Sequence, residues 1–122
     1  MRIFSIIILS MVMQLGFSQD GAELFTAIGN SDTKTLSAKF LNDMEICIGS
    51  EQDYYTKAEA VARLDKFFKE VSPKSCSFLH KGSSKDKTSK YSVGVMDSSK
   101  GKYRVFIYFE GDKVSSVMFN PE

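Results

Sequence analysis

An α+β fold is what this sequence predicts: a curved antiparallel sheet wrapped around one long helix, with one or two short helices ahead of it. Two observations carry the prediction. Ala60, Val61, Leu64, Phe67, Phe68 and Val71 recur at steps of three and four, which sets them on one broad helical stripe. Beyond Pro73 the period changes, and residues 75–81, 90–97, 102–110 and 114–120 are four segments rich in β-branched and aromatic side chains between polar linkers. The paired rings of Phe67 and Phe68 need a sizeable concave surface to cover them, and a bent sheet supplies one.

The elements follow in order. Arg2, an apolar run from Ile3 to Met13 softened only by Ser5 and Ser10, and small residues at Gly16 and Ser18 have the layout of a signal peptide cut after Ser18. The run meets polar Gln14 before reaching the roughly 20 apolar residues of a spanning helix. Residues 1–18 are therefore expected to leave, giving an exported protein, periplasmic or secreted, in which residues 19–122 form a single domain with no transmembrane segment. Leu24, Phe25 and Ile28 sit at helical spacing until Gly29 and Asn30 stop a first short helix. Ser31 or Asp32 can cap a second, with Leu36, Phe40 and Leu41 on its apolar face and an end near Asn42 or Asp43. Residues 44–50, MEICIGS, alternate as a strand, turn at 50–52 and return through 53–55.

Thr56 and Glu59 then form a capping box for the long helix, which Pro73 terminates. The last four strands are joined by KGSSKDKTS, SSKG and EGDK, the last with Gly111 and Asp112 suited to a hairpin turn, so they should make an antiparallel meander. Segment 102–110 is apolar on both faces, with Tyr103, Val105, Ile107 and Phe109 on one and Phe106 and Tyr108 on the other, the mark of a central strand.

The stretches AIGNSDTKTLSAKF, YYTKAEAVARLDKFFKEVSP, FLHKGSSKDKTSKYSVGVM and GKYRVFIYF together resemble the domain of unknown function 4783 family, small exported proteins mostly of Bacteroidetes. The resemblance spans essentially all of the mature domain. It rests on a combination: the helix ending in two phenylalanines, His80-Lys81-Gly82, Val93-Gly94-Val95 and Tyr103-Arg104-Val105. The element order is also similar to the cone-shaped, cystatin-like domains of nuclear transport factor 2 and the SnoaL-like enzymes. The resemblance implies the cone fold and a bacterial cell-envelope or secreted location. It implies no reaction.

Charge narrows the partners. Losing Arg2 with the leader takes lysine plus arginine from 16 to 15, against 15 acids, so whole-domain attraction to nucleic acid is not expected. Along the chain the signs segregate: residues 20–53 hold seven acids and two lysines, while residues 81–104 hold seven bases against Asp86 and Asp97. Solvated faces and loops account for this, including the lysines at 81, 85, 87 and 90, which could otherwise meet an anionic surface. Cys47 and Cys76 can pair only with each other, and an exported chain meets a compartment where that disulfide would persist. Both also lie in strand-like apolar segments, where a thiol packs as a small hydrophobe, so both readings stand. Two sulfurs without a clustered histidine or carboxylate do not make a metal site.

The remaining chemistry centres on His80, the sole imidazole. Strand alternation groups it with Cys76 and Phe78, which would turn it toward the hollow under the sheet, near the rim, as a catalyst, a ligand contact or a structural bond to a backbone carbonyl. No spacing ties an acid to it. Arg104 and Tyr108 flank Phe106 on one face of the central strand, with Glu110 beside them, a mixture suited to a ligand pocket or a partner interface. Tyr54 and Tyr55 could close the mouth of the cone or pack the helix end. There is no Gly-x-Ser-x-Gly elbow, phosphate-binding loop, dinucleotide fingerprint or calcium-loop spacing, and no cofactor is implied. The expected role is a non-catalytic binding or interaction module of the bacterial envelope, taking a small ligand or a protein partner, with a homodimer through the sheet face as one form. The alternative is a small-molecule isomerase or dehydratase using the cone pocket.

Overall fold

The computed structural model describes residues 21–83 and 89–122. The expected leader at 1–18 and the middle of the serine- and lysine-rich loop, 84–88, lie outside the described residues.

Helix α1, Ala22–Gly29, buries Leu24, Phe25, Ala27 and Ile28. Asp32 caps α2, Thr33–Ser37: its carboxylate accepts from the Thr35 amide at 3.1 Å and the Thr35 hydroxyl at 2.6 Å, and these bonds hold its pKa below the ordinary value. This helix is shorter than its apolar face suggested. Phe40 is already extended and opens β1, Phe40–Ile48. It pairs with Val114, and strand alternation buries Phe40, Met44 and Ile46 on one face. The four-residue step from Leu36 to Phe40 imitates a helix, and strand pairing overrides it.

After β2, Glu51–Thr56, the capping box forms as expected. The Glu59 amide donates to the Thr56 hydroxyl at 3.2 Å, and the Glu59 carboxylate accepts from the Thr56 amide at 3.0 Å. Helix α3, Lys57–Val71, buries Ala60, Leu64, Phe67, Phe68 and Val71 and ends at Ser72, ahead of Pro73. Four strands complete the chain: β3, Pro73–Ser83; β4, Ser89–Ser98; β5, Gly101–Glu110; and β6, Lys113–Pro121.

The six strands form one curved sheet in the order β2-β1-β6-β5-β4-β3. β3 to β6 are the expected antiparallel meander, and β5 lies inside it. The β1–β2 hairpin extends the layer from four strands to six. It joins through β1 and β6, and that pair runs parallel, the one departure from an antiparallel sheet.

All the described helices meet the inner face. α3 packs over the β1 half, where Phe67 and Phe68 converge on Phe119 with ring centres 4.9 and 6.0 Å away, and Phe67 meets Tyr103 edge-on at 5.4 Å. Such ring pairs add about 0.5–1.5 kcal/mol each beyond the area they bury. α1 covers the β3–β4 half, with Phe25 and Phe78 6.0 Å apart. Gly94 permits this contact: a Cβ there would fall 2.5 Å from the Ser77 carbonyl oxygen and 2.6 Å from the Phe25 ring. α2 ties the two helices together, its Thr33 hydroxyl donating to Asp65 at 2.8 Å. Among the described residues no helix is long and apolar enough to cross a membrane.

Candidate functional site

Strand alternation gives the sheet a second face that none of the described helices touches. On β5, Val105 and Ile107 are buried on the inner side, while Arg104, Phe106 and Tyr108 are half-buried on the outer. The register carries this face across the whole sheet. Tyr54, Glu45, Ser116, Tyr108, Tyr91 and Gly82 are successive partners in one cross-strand row. The adjoining row holds Gln52, Cys47, Met118, Phe106, Val93 and His80. Directly opposed side chains on one face of a sheet touch, so each row is a continuous band of contact.

The middle of the bands is aromatic. Phe106 and Tyr108 stack at 6.5 Å with planes 19° apart, and Tyr91 meets Tyr108 at 5.9 Å. Tyr91 lies over Gly82, where a Cβ would come 2.5 Å from the ring, so the glycine leaves the ring its bed. Beside the rings Arg104 is held by Glu122, Nη2 to Oε2 at 2.6 Å and Nε to the same oxygen at 2.7 Å. That pair holds the guanidinium on the outer face, two residues along β5 from Phe106. Ser116 is buried within the band, and its Oγ has no hydrogen-bond partner among the described residues. Glu45 and Gln52 hydrogen-bond across the hairpin.

His80 corrects the sequence reading. It pairs with Val93 rather than Ser92, because the register shifts between Phe78 and His80 and Leu79 is the extra residue. Cys76 and Phe78 keep the inner face, where Phe78 meets α1 rather than the long helix. The bulge reverses the alternation and turns His80 to the outer face, exposed, away from the hollow. Its imidazole makes no hydrogen bond to a described residue. Tyr54 is likewise outside the mouth of the cone: it is 70% exposed on the outer face of β2, while Tyr55 packs on the core. Thus His80, Arg104, Tyr108 and Tyr54 share one face, but only Tyr108 and Arg104 belong to its compact centre.

Cys47 and Cys76 are free. β6, β5 and β4 stand between their strands, which at the usual strand spacing separates them by roughly 19 Å. They also point to opposite faces, so the intramolecular disulfide does not form. Burial pushes the Cys76 thiol up to about 12. Among the described residues no three histidine, cysteine, aspartate or glutamate side chains gather as a metal would require.

The sequence reading missed Tyr91, Met118 and Ser116. The signal was present in the alternation of β4 and β6, which sets each of them opposite a β5 residue already singled out, but strand order is needed to bring them side by side.

Comparison with other proteins supplies a family and a fold. The family model described as a domain of unknown function (DUF4783) matches residues 22–117. Among solved structures, a DUF4783 family protein from Bacteroides ovatus superposes with a TM-score of 0.73 at 16% identity, covering 81% of this chain and 92% of that one. A DUF4783 family protein from Bacteroides fragilis gives 0.73 at 14% identity, covering 81% and 95%. An uncharacterized cystatin fold protein from Novosphingobium aromaticivorans gives 0.58 at 16% identity, covering 84% and 94%. At these identities the structural likeness speaks for the fold alone. Among curated proteins nothing matches.

Proposed function

Because this chain belongs to the DUF4783 family, a domain of unknown function, we propose its role from the geometry: it is a non-catalytic binding module of the bacterial envelope that engages a protein surface through the outer face of its sheet. The single observation behind this is the half-exposed band of Tyr91, Phe106, Tyr108 and Met118 with Arg104 fastened at its border. Tyrosine, phenylalanine, methionine and arginine are the side chains enriched at the centres of protein interfaces, because each buries much area at a modest entropic cost. The face is an open strand surface, which suits a macromolecule better than a small ligand. A second copy of this chain is the first partner to test.

Export rests on the pattern of residues 1–18, and the Bacteroides source of similar structures agrees with a bacterial setting. Isomerase or dehydratase chemistry fits less well. It would need a shielded acid or base within the hollow, but the inner-face acids Glu51 and Asp53 are exposed at the hairpin, Phe67, Phe68, Phe119 and Tyr103 fill the space beneath the C-terminal half of α3, and His80 lies on the other side of the sheet. A photo-crosslinking side chain at Tyr108, compared with one at exposed Lys69 on α3, tests the proposal in cells of the native host. Adducts at 108 that are absent at 69 are expected, either to a second copy or to another protein. Equal labelling from both positions, or none from 108, removes the reading.

A further inference from the structure

A recess lies on the opposite side of the sheet. Alternation along β2 places Glu51, Asp53 and Tyr55 on the inner face, across from Ile48, Ile46 and Met44 of β1. Helix α3 passes over them, and Arg63, one turn beyond its capping box, reaches down toward the hairpin. Between helix and hairpin is a recess of about 370 Å³ bounded by Arg63, Glu51, Asp53 and Tyr55 over a floor of Ile46 and Ile48. That volume falls within the range of small-molecule sites, roughly 300–1,000 Å³.

Arg63 is the informative group. Its side chain is only 20% exposed, and Nη2 donates to Glu51 Oε1 at 3.1 Å. Nη1 is buried and has no acceptor among the described residues. A guanidinium offers its donors as a planar fork, and holding one of them out of water with nothing to accept it costs about 1–3 kcal/mol. A turn of the guanidinium toward the recess would offer this unused donor to an acceptor that arrives from outside. Charge decides what kind. Glu51 offsets Arg63, and Asp53 leaves the rim with one further negative charge. A bare phosphate would face two carboxylates, whereas a molecule with a carboxylate at one end and an ammonium beside it answers both Arg63 and Asp53.

We infer that the recess between the β1–β2 hairpin and α3 binds a small zwitterion of the amino-acid class, its carboxylate on the Arg63 guanidinium, its ammonium toward Asp53 and any apolar side chain over Ile48. The site lies across the sheet from the aromatic band, so either can fail without the other.

The test uses L-leucine as probe, with acetate and butylamine each carrying one half of its charge, followed by calorimetry and by amide chemical shifts of the folded protein. Saturable shifts confined to β1, β2 and the first turns of α3 are expected for L-leucine, with weaker binding of either half-probe. Arg63→Gln is expected to weaken L-leucine binding about tenfold or more, the loss of a charge-assisted pair. If that variant does not fold, Asp53→Asn at the exposed rim carries the same test through the ammonium. The inference is overturned if L-leucine produces no saturable shifts in the hairpin, if acetate binds as well as L-leucine, or if the variant tested binds L-leucine like the parent.

Discussion

At the β3–β4 end of the sheet, helix α1 lies almost on backbone: Phe25 rests against Gly94, and Gly29 sits so close that a Cβ there would come 2.7 Å from the Cys76 amide. At the β1–β2 end, helix α3 stands off on side chains, with Arg63 reaching Glu51 over Ile46 and Ile48 and a recess left between. Both ends are the same construction, a helix laid over two strands. The size of the residue at the point of contact sets the separation, and with it whether a helix seals a sheet or leaves a hollow.

Removing the ring that seals the tight end should do the most damage. Phe25→Ala is expected to lower the unfolding free energy by about 3–5 kcal/mol, read from urea denaturation, because Phe25 is fully buried and glycine backbone cannot close over the space. A loss near zero would mean that this end is not packed as described. Gly94→Ala attacks the same contact from the strand side. Its methyl group would press on the Ser77 carbonyl as well as the movable ring, so a loss of about 1–3 kcal/mol is expected in the same assay. The thiols give the gentlest comparison. Cys76 at the tight end has its ordinary value of 9.0 raised to about 12 by burial, so iodoacetamide at pH 8 should modify Cys47 well before Cys76. The sign of the accompanying pH effect follows. Below pH 9 the thiol is protonated in both folded and unfolded chains; between pH 9 and 12 only the unfolded chain loses the proton, and stability falls as pH rises. Equal labelling of the two cysteines would dissolve the contrast.

How much of this was legible in the sequence depends on how far each feature reaches. The capping box at Thr56 and Glu59, the stripe on α3 and the central β5 are local patterns, and each stands where its pattern put it. Phe40 was misassigned because a step of four residues keeps one face in a helix and in a strand alike, and only the pairing with Val114 separates them. The parallel β1–β6 pair could not be read, since alternation has the same period whichever way a partner runs. His80 was turned to the wrong face by a single inserted residue at Leu79, and a bulge leaves no mark in composition. Of the candidate site, Arg104, Phe106 and Tyr108 were visible as one strand's outer edge, while Tyr91 and Met118 had to wait for strand order. Arg63 reads as an ordinary solvated helix position until the hairpin comes beneath it.

The bulge at Leu79 has a further consequence. β3 is a terminal strand of the layer, and Leu79 is 48% exposed on it. An even, apolar strand in that position would be a template on which another chain could lay its own backbone, the first step toward fibres. The inserted residue breaks the spacing of the amides and carbonyls along that border, so a would-be neighbour finds no continuous ladder to extend. One irregular residue thus limits runaway stacking in a domain that offers its broad face for contact.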